Sequence, residues 1–173
     1  MFERLKDMRI GALFALLALL YGFGLGGVFG AAEDSIKGHL KSEAQSVFET
    51  TYKGDAAKMG AVTSKSWTYF KRAHLHANGL GTAALAMILL LACLPNPGRL
   101  GQVGAALLGL GALGYSSFWM FAGLKAPGLG STGAAKESLE WLAIPTSGAC
   151  IVGLVLTLFL FARAAFTGPT QKA

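Results

Sequence analysis

Four apolar stretches, at about 10–32, 74–94, 100–124 and 139–162, constrain this chain more than any other feature. A bilayer core about 30 Å thick takes roughly 20 helical residues at 1.5 Å each, and each stretch reaches that length. Between them lie a short Pro-Asn-Pro-Gly turn at 95–98, a loop rich in Gly and Ser/Thr at 125–138, and one long polar segment at 33–73. Only 14% of the residues are charged, against about 25% in an ordinary soluble domain, and 53% are hydrophobic. In lipid, backbone N–H and C=O groups must be satisfied within the segment, so each stretch is expected to be a helix. The expected fold is an all-α integral membrane protein. It forms one membrane domain over 1–173, a four-helix transmembrane bundle with a helical hairpin between spans 1 and 2.

The first stretch follows a charged start, with Arg4, Lys6 and Arg9 against Glu3 and Asp7. A basic start and the small residues Gly30, Ala31 and Ala32 also resemble a signal peptide with its cleavage site. The apolar run exceeds the usual core of such a peptide, about 7–15 residues, and reads as a retained anchor. Gly22, Gly26 and Gly30 fall four apart on one face, a small-xxx-small row through which another helix can approach. Packing within the chain is the simpler use of that row, and a homodimer seam the sharper one.

The polar segment 33–73 holds seven Lys/Arg and five Asp/Glu. Ile36, Leu40, Val47, Phe48 and Tyr52 recur in it at helical spacing, as do Met59, Val62 and Phe70 further on. Lys53-Gly54-Asp55 supplies a glycine stop followed by an acidic N-cap. Two arms of nearly equal length, 33–52 and 55–73, thus predict an antiparallel hairpin continuing both membrane helices outward. A pair of helices lying flat on the membrane is the second arrangement.

The termini and the 95–99 turn share one side and carry six Lys/Arg against two acids, whereas the other side has nine against seven. That bias places both termini, and the polar tail from Thr167 to Ala173, in the cytoplasm, in what reads as a bacterial inner-membrane protein. The net charge of +6 is spread out, with no basic run beyond Lys71-Arg72, so nucleic acid is not an expected partner. The expected partners are the bilayer and other membrane subunits or a second copy. Cys93 and Cys150 both fall in apolar stretches and read as small buried hydrophobes.

No Asp, Glu, Lys or Arg lies in the centre of any span, which argues against ion-coupled transport, proton pumping or voltage sensing. Polarity is concentrated where span 2 begins, in Trp67, Tyr69, Phe70, Lys71, Arg72, His74 and His76. His74 and His76 are two apart on a helix and point about 200° from each other, so they cannot share one metal ion. One is expected to face the bundle and the other the headgroups. The inward one is a candidate axial ligand for haem b, with Met120 on span 3 at the depth of His76 as second ligand.

The string Arg72-Ala-His-Leu-His-Ala-Asn-Gly-Leu-Gly81 resembles the histidine-bearing helix of nitric-oxide-reductase and oxidase-type catalytic subunits. Those carry a histidine, another two residues on, and a glycine a turn later. The resemblance covers about ten residues and implies haem or metal ligation by His74 or His76; the further helices and histidines of that superfamily are not in this chain.

Chain direction gathers Gly30, His74, His76, Tyr115, Trp119, Met120, Glu140 and Trp141 near one membrane face, with Glu140 placed to meet His74. Two accounts of this layer compete, an aromatic belt with two anchoring histidines and a binding site. Ser116, Ser117, Thr146 and Ser147 have no neighbouring base, so no nucleophile is indicated. The expected function is a non-catalytic accessory, assembly or partner-binding membrane subunit; a b-type haem electron carrier is the alternative.

Overall fold

A computed structural model describes residues 2–167; Met1 and the tail 168–173 lie outside the described residues. The protein is all-helical, with no strand among the described residues. In order, the helices are α1 (Phe2–Asp7), α2 (Arg9–Ser46), α3 (Phe48–Thr51), α4 (Ala56–Cys93), α5 (Gly98–Leu129), α6 (Thr132–Glu137) and α7 (Glu140–Thr167). Four of them, α2, α4, α5 and α7, are long and apolar enough to cross a membrane.

Both α2 and α4 continue from an apolar half into a polar half. In α2 the change is marked at Ala32, whose φ of −140° and ψ of 23° break the helical geometry where the apolar residues end. The turn between α3 and α4 follows its local chemistry. Gly54 takes φ 77°, and the Asp55 carboxylate accepts the Lys58 N–H at 2.8 Å, capping α4. At the opposite end, Asn96 (φ 50°) and Gly98 (φ 57°) turn the chain between α4 and α5.

The segment 125–138 is not the loop its composition predicts. Helix α5 runs on to Leu129, stops at left-handed Gly130 (φ 60°), and Ser131 caps α6 by accepting the Ala134 N–H. Gly130, Ser131 and Ser138 stand at helix caps, and Gly128, Thr132 and Gly133 lie inside the helices. Helix α5 then meets the polar halves of α2 and α4. Ala44, Tyr52, Val62, Ala126 and Ala135 form one buried cluster, and the Tyr52 hydroxyl donates to the Pro127 carbonyl at 2.7 Å.

Helix α5 is the central element, touching α2, α4 and α7. Glycine makes this possible at the crossing of α2 and α5. A Cβ on Gly11 would strike the Ala105 carbonyl, and one on Gly109 the Gly11 carbonyl. Gly111 sits in the same way against Cys150 and Thr146 of α7. Around these crossings Ala15, Ala18, Ala84, Ile88, Leu91, Ala105, Leu108 and Ala112 are buried. Large apolar side chains such as Leu20, Phe23, Ile151 and Leu158 point outward. Cys93 is exposed and Cys150 half-buried, so neither is the fully buried small residue the sequence predicts.

Candidate functional site

The start of the apolar half of α4 is wedged between two helices, and each histidine meets a different one. Antiparallel pairing lays α4 along α2 through Gly81 on Leu19, Asn78 on Gly22, His74 on Gly26, and Phe70 with Trp67 on Phe29. On its other side α4 meets α5 through His76 on Tyr115 and Trp119, and Phe70 on Gly123.

His74 is half-buried, with Nδ1 2.8 Å from the Gly22 carbonyl oxygen. A carbonyl only accepts, so this nitrogen carries the proton. Asn78, one turn on, donates its amide to the His74 carbonyl at 3.2 Å. Its amide nitrogen also lies 3.3 Å from His74 Nδ1, but a protonated nitrogen cannot accept, and that contact is only an approach. The Asn78 Oδ1 is buried with no hydrogen-bond partner and lies 2.6 Å from where a Gly22 Cβ would stand. It therefore rests against the Gly22 Cα–H, a weak contact typical of closely packed helices. Gly26 is equally confined, since its Cβ would lie 2.8 Å from His74 Cε1. Phe29 closes the group, its ring 6.0 Å edge-on from the imidazole.

His76 donates from Nδ1 to the Arg72 carbonyl of its own helix at 2.8 Å. Its ring lies 5.4 Å from Tyr115 and 5.9 Å from Trp119. The Arg72 guanidinium covers the same patch, 4.8 Å from the Trp119 ring and 5.5 Å from Tyr69. That is the geometry in which a cation is attracted to an aromatic face. Trp119 Nε1 is buried with no partner among the described residues. Tyr115 stacks on Phe118, completing an aromatic layer with Tyr69.

The 200° divergence of the two rings thus sets one imidazole against α2 and the other against α5. Met120 is half-buried, next to Trp119 on α5. Glu140 is exposed and makes no hydrogen bond or ion pair with either histidine among the described residues, and Trp141 is 71% exposed. Of the row Gly22, Gly26 and Gly30, the first two abut α4 and Gly30 faces open space, so the row packs within the chain. Asn78 and Gly11 were missed by sequence reasoning. Asn78 had a signal, being an amide in an apolar block four residues after His74; nothing marked Gly11 among 24 glycines.

In a neutral imidazole both rings keep the lone pair on Nε2, the atom through which a histidine with a bonded Nδ1–H holds a metal. The two lone pairs belong to rings on opposite faces of α4. Among the described residues no group of three His, Cys, Asp or Glu could hold a metal ion. The buried hydroxyls of Ser66, Ser116 and Thr157 each donate to the carbonyl four residues back. The chain matches no family model, no curated protein and no solved structure.

Proposed function

We propose that the protein is a non-catalytic membrane subunit, a four-span bundle that binds partner subunits through the outer face of its first span. The observation that carries this reading is how α2 divides its glycines. Gly22 and Gly26 are consumed by Asn78 and His74, while Gly24, Gly27 and Gly30 have nothing within 4 Å of a Cβ position. Leu20, Phe23 and Val28 flank them, exposed on the same side. A glycine face in lipid lets a second helix approach closely, and association there depends on packing, since lipid is as apolar as the helix. The buried hydroxyls of Ser66, Ser116 and Thr157 and the Nδ1 of both histidines are held by backbone carbonyls. Only Asn78 Oδ1 and Trp119 Nε1 are left without a partner among the buried side-chain polar atoms of the described residues, which fits a scaffold better than a reaction centre. In this reading the polar halves of α2 and α4 form an extramembrane hairpin, with both termini on the cytoplasmic side.

The test is co-purification from native membranes of tagged wild type and of Gly24→Leu/Gly27→Leu. Wild type is expected to carry stoichiometric membrane subunits or a second copy, and the variant to lose them while remaining folded. A wild-type chain that purifies as a bare monomer overturns the proposal.

A haem-binding electron carrier is the second reading, favoured by the Nδ1–H tautomers that leave Nε2 free for iron. An absorption spectrum of the purified protein separates the two. A Soret band that disappears in His76→Ala or His74→Ala selects the carrier, and a colourless sample removes it.

A further inference from the structure

Above the apolar half of α2, a groove of about 460 Å³ runs between the polar halves of α2 and α4. Leu40, Met59 and Trp67 supply its apolar lining, and Lys37 and Lys41 its charge, with Thr63 and Ser64 opposite. No acidic residue lines it. Lys37 lies 5.4 Å over the Trp67 ring and pairs with Glu33 one turn back on the same helix. An ammonium has three N–H donors, so Lys37 can hold Glu33 and still bind an anion. Neither the Lys41 ammonium nor the Ser64 hydroxyl has an intramolecular partner among the described residues.

The depth of the groove specifies the anion. Lys37 stands five residues past the break at Ala32, about 7–8 Å above the end of the apolar half. A headgroup layer extends about 5–8 Å beyond the hydrocarbon core on each side. Trp67 reaches down to Phe29 in the last apolar turn, with ring centroids 5.0 Å apart. The groove therefore begins at the acyl boundary with Lys37 at phosphate level. Lys41, nine residues past Ala32 and about 13–14 Å up, reaches down to it by a long stem that leans toward the helix N-terminus and so toward the membrane.

We propose that this groove binds an anionic phospholipid, its phosphate held by Lys37 and Lys41 and its glycerol and upper acyl carbons lying on Trp67, which reaches down to Phe29. The site rests on the reading of the apolar helices as membrane spans, which is tested separately by whether the protein leaves the membrane fraction only with detergent.

The experiment is thermal unfolding of delipidated protein in a neutral maltoside detergent. The additives are short-chain phosphatidylglycerol, phosphatidylcholine of the same chain length, and inorganic phosphate. Phosphatidylglycerol is expected to raise the midpoint saturably, and the other two to leave it unchanged. Lys37→Gln/Lys41→Gln should weaken the phosphatidylglycerol effect about thirtyfold in concentration, taking each lysine at its usual contribution near an anionic surface. Lys53→Gln/Lys136→Gln removes the same charge elsewhere and should keep the wild-type response, as should Lys37→Arg/Lys41→Arg. Three results overturn the site: equal stabilisation by phosphatidylcholine, reproduction of the shift by phosphate alone, or equal loss in the two glutamine pairs.

Discussion

Replacing Gly26 by alanine tests whether the contact between α2 and α4 is as close as its geometry requires. The new Cβ would stand 2.8 Å from His74 Cε1 and 3.3 Å from Nδ1. Carbon atoms attract best at about 3.5–4.0 Å, so the methyl intrudes by roughly 1 Å. The ring has little freedom to retreat, being bonded to the Gly22 carbonyl and faced by Phe29. Either it swings and loses a hydrogen bond, at about 1 kcal/mol net, or the helices part, at about 1–3 kcal/mol. Against this stands the helix preference of alanine over glycine, about 0.8–1 kcal/mol. Gly24→Ala isolates that gain, because nothing lies within 4 Å of its Cβ position. Gly26→Ala should therefore be less stable than Gly24→Ala by about 1–3 kcal/mol. Equilibrium unfolding in mixed micelles of maltoside and dodecyl sulfate measures the difference. In a His74→Ala background the gap should shrink by at least about 1 kcal/mol, since the obstructing ring is gone. Equal stability of the two alanine variants within about 0.5 kcal/mol would refute the reasoning.

Tyr52→Phe removes the hydroxyl that reaches the Pro127 carbonyl. That carbonyl keeps the Gly130 N–H at 3.3 Å, so the cost should be near the lower end of the range for a buried bond, about 1 kcal/mol, read by unfolding at pH 8. Burial pushes the Tyr52 hydroxyl above its ordinary value of 10.0. The folded state thus holds this proton more tightly than the unfolded one. The associated stability is whole below pH 10 and is lost as pH rises through the folded value, so wild type should lose stability above pH 10 more steeply than Tyr52→Phe. In a chain carrying Cys93→Ala and Cys150→Ala, impermeant maleimides should label Glu49→Cys and Arg99→Cys from opposite sides of sealed vesicles. Labelling of both from one side would contradict a membrane crossing between them.

Much of the chain's organisation can be read along the sequence, because it rests on local rules. The four apolar stretches, the Gly54–Asp55 stop and cap, and the divergence of His74 from His76 depend on length, backbone preference and helical period alone. The same rules misplace 125–138, where Gly130 and Ser131 mark helix ends and not a loop, since caps and loops draw on the same residue types. Which neighbour each histidine meets is decided by tertiary packing. Period places the rings on opposite faces, but only the insertion of α4 between α2 and α5 turns both inward, one to the Gly22 carbonyl and the other to Tyr115 and Trp119. Likewise, the sequence determined a four-residue glycine row on α2 without marking which glycines are closed. Gly22 and Gly26 face α4 and Gly30 faces outward because each four-residue step overshoots the 3.6-residue turn by about 40°, so the row winds off a contact that Phe29 keeps against Trp67. The crossing of Gly11 with Ala105 and Gly109 was also a tertiary decision. A glycine's value there lies in the side chain it lacks, and only a second helix in place makes that absence count.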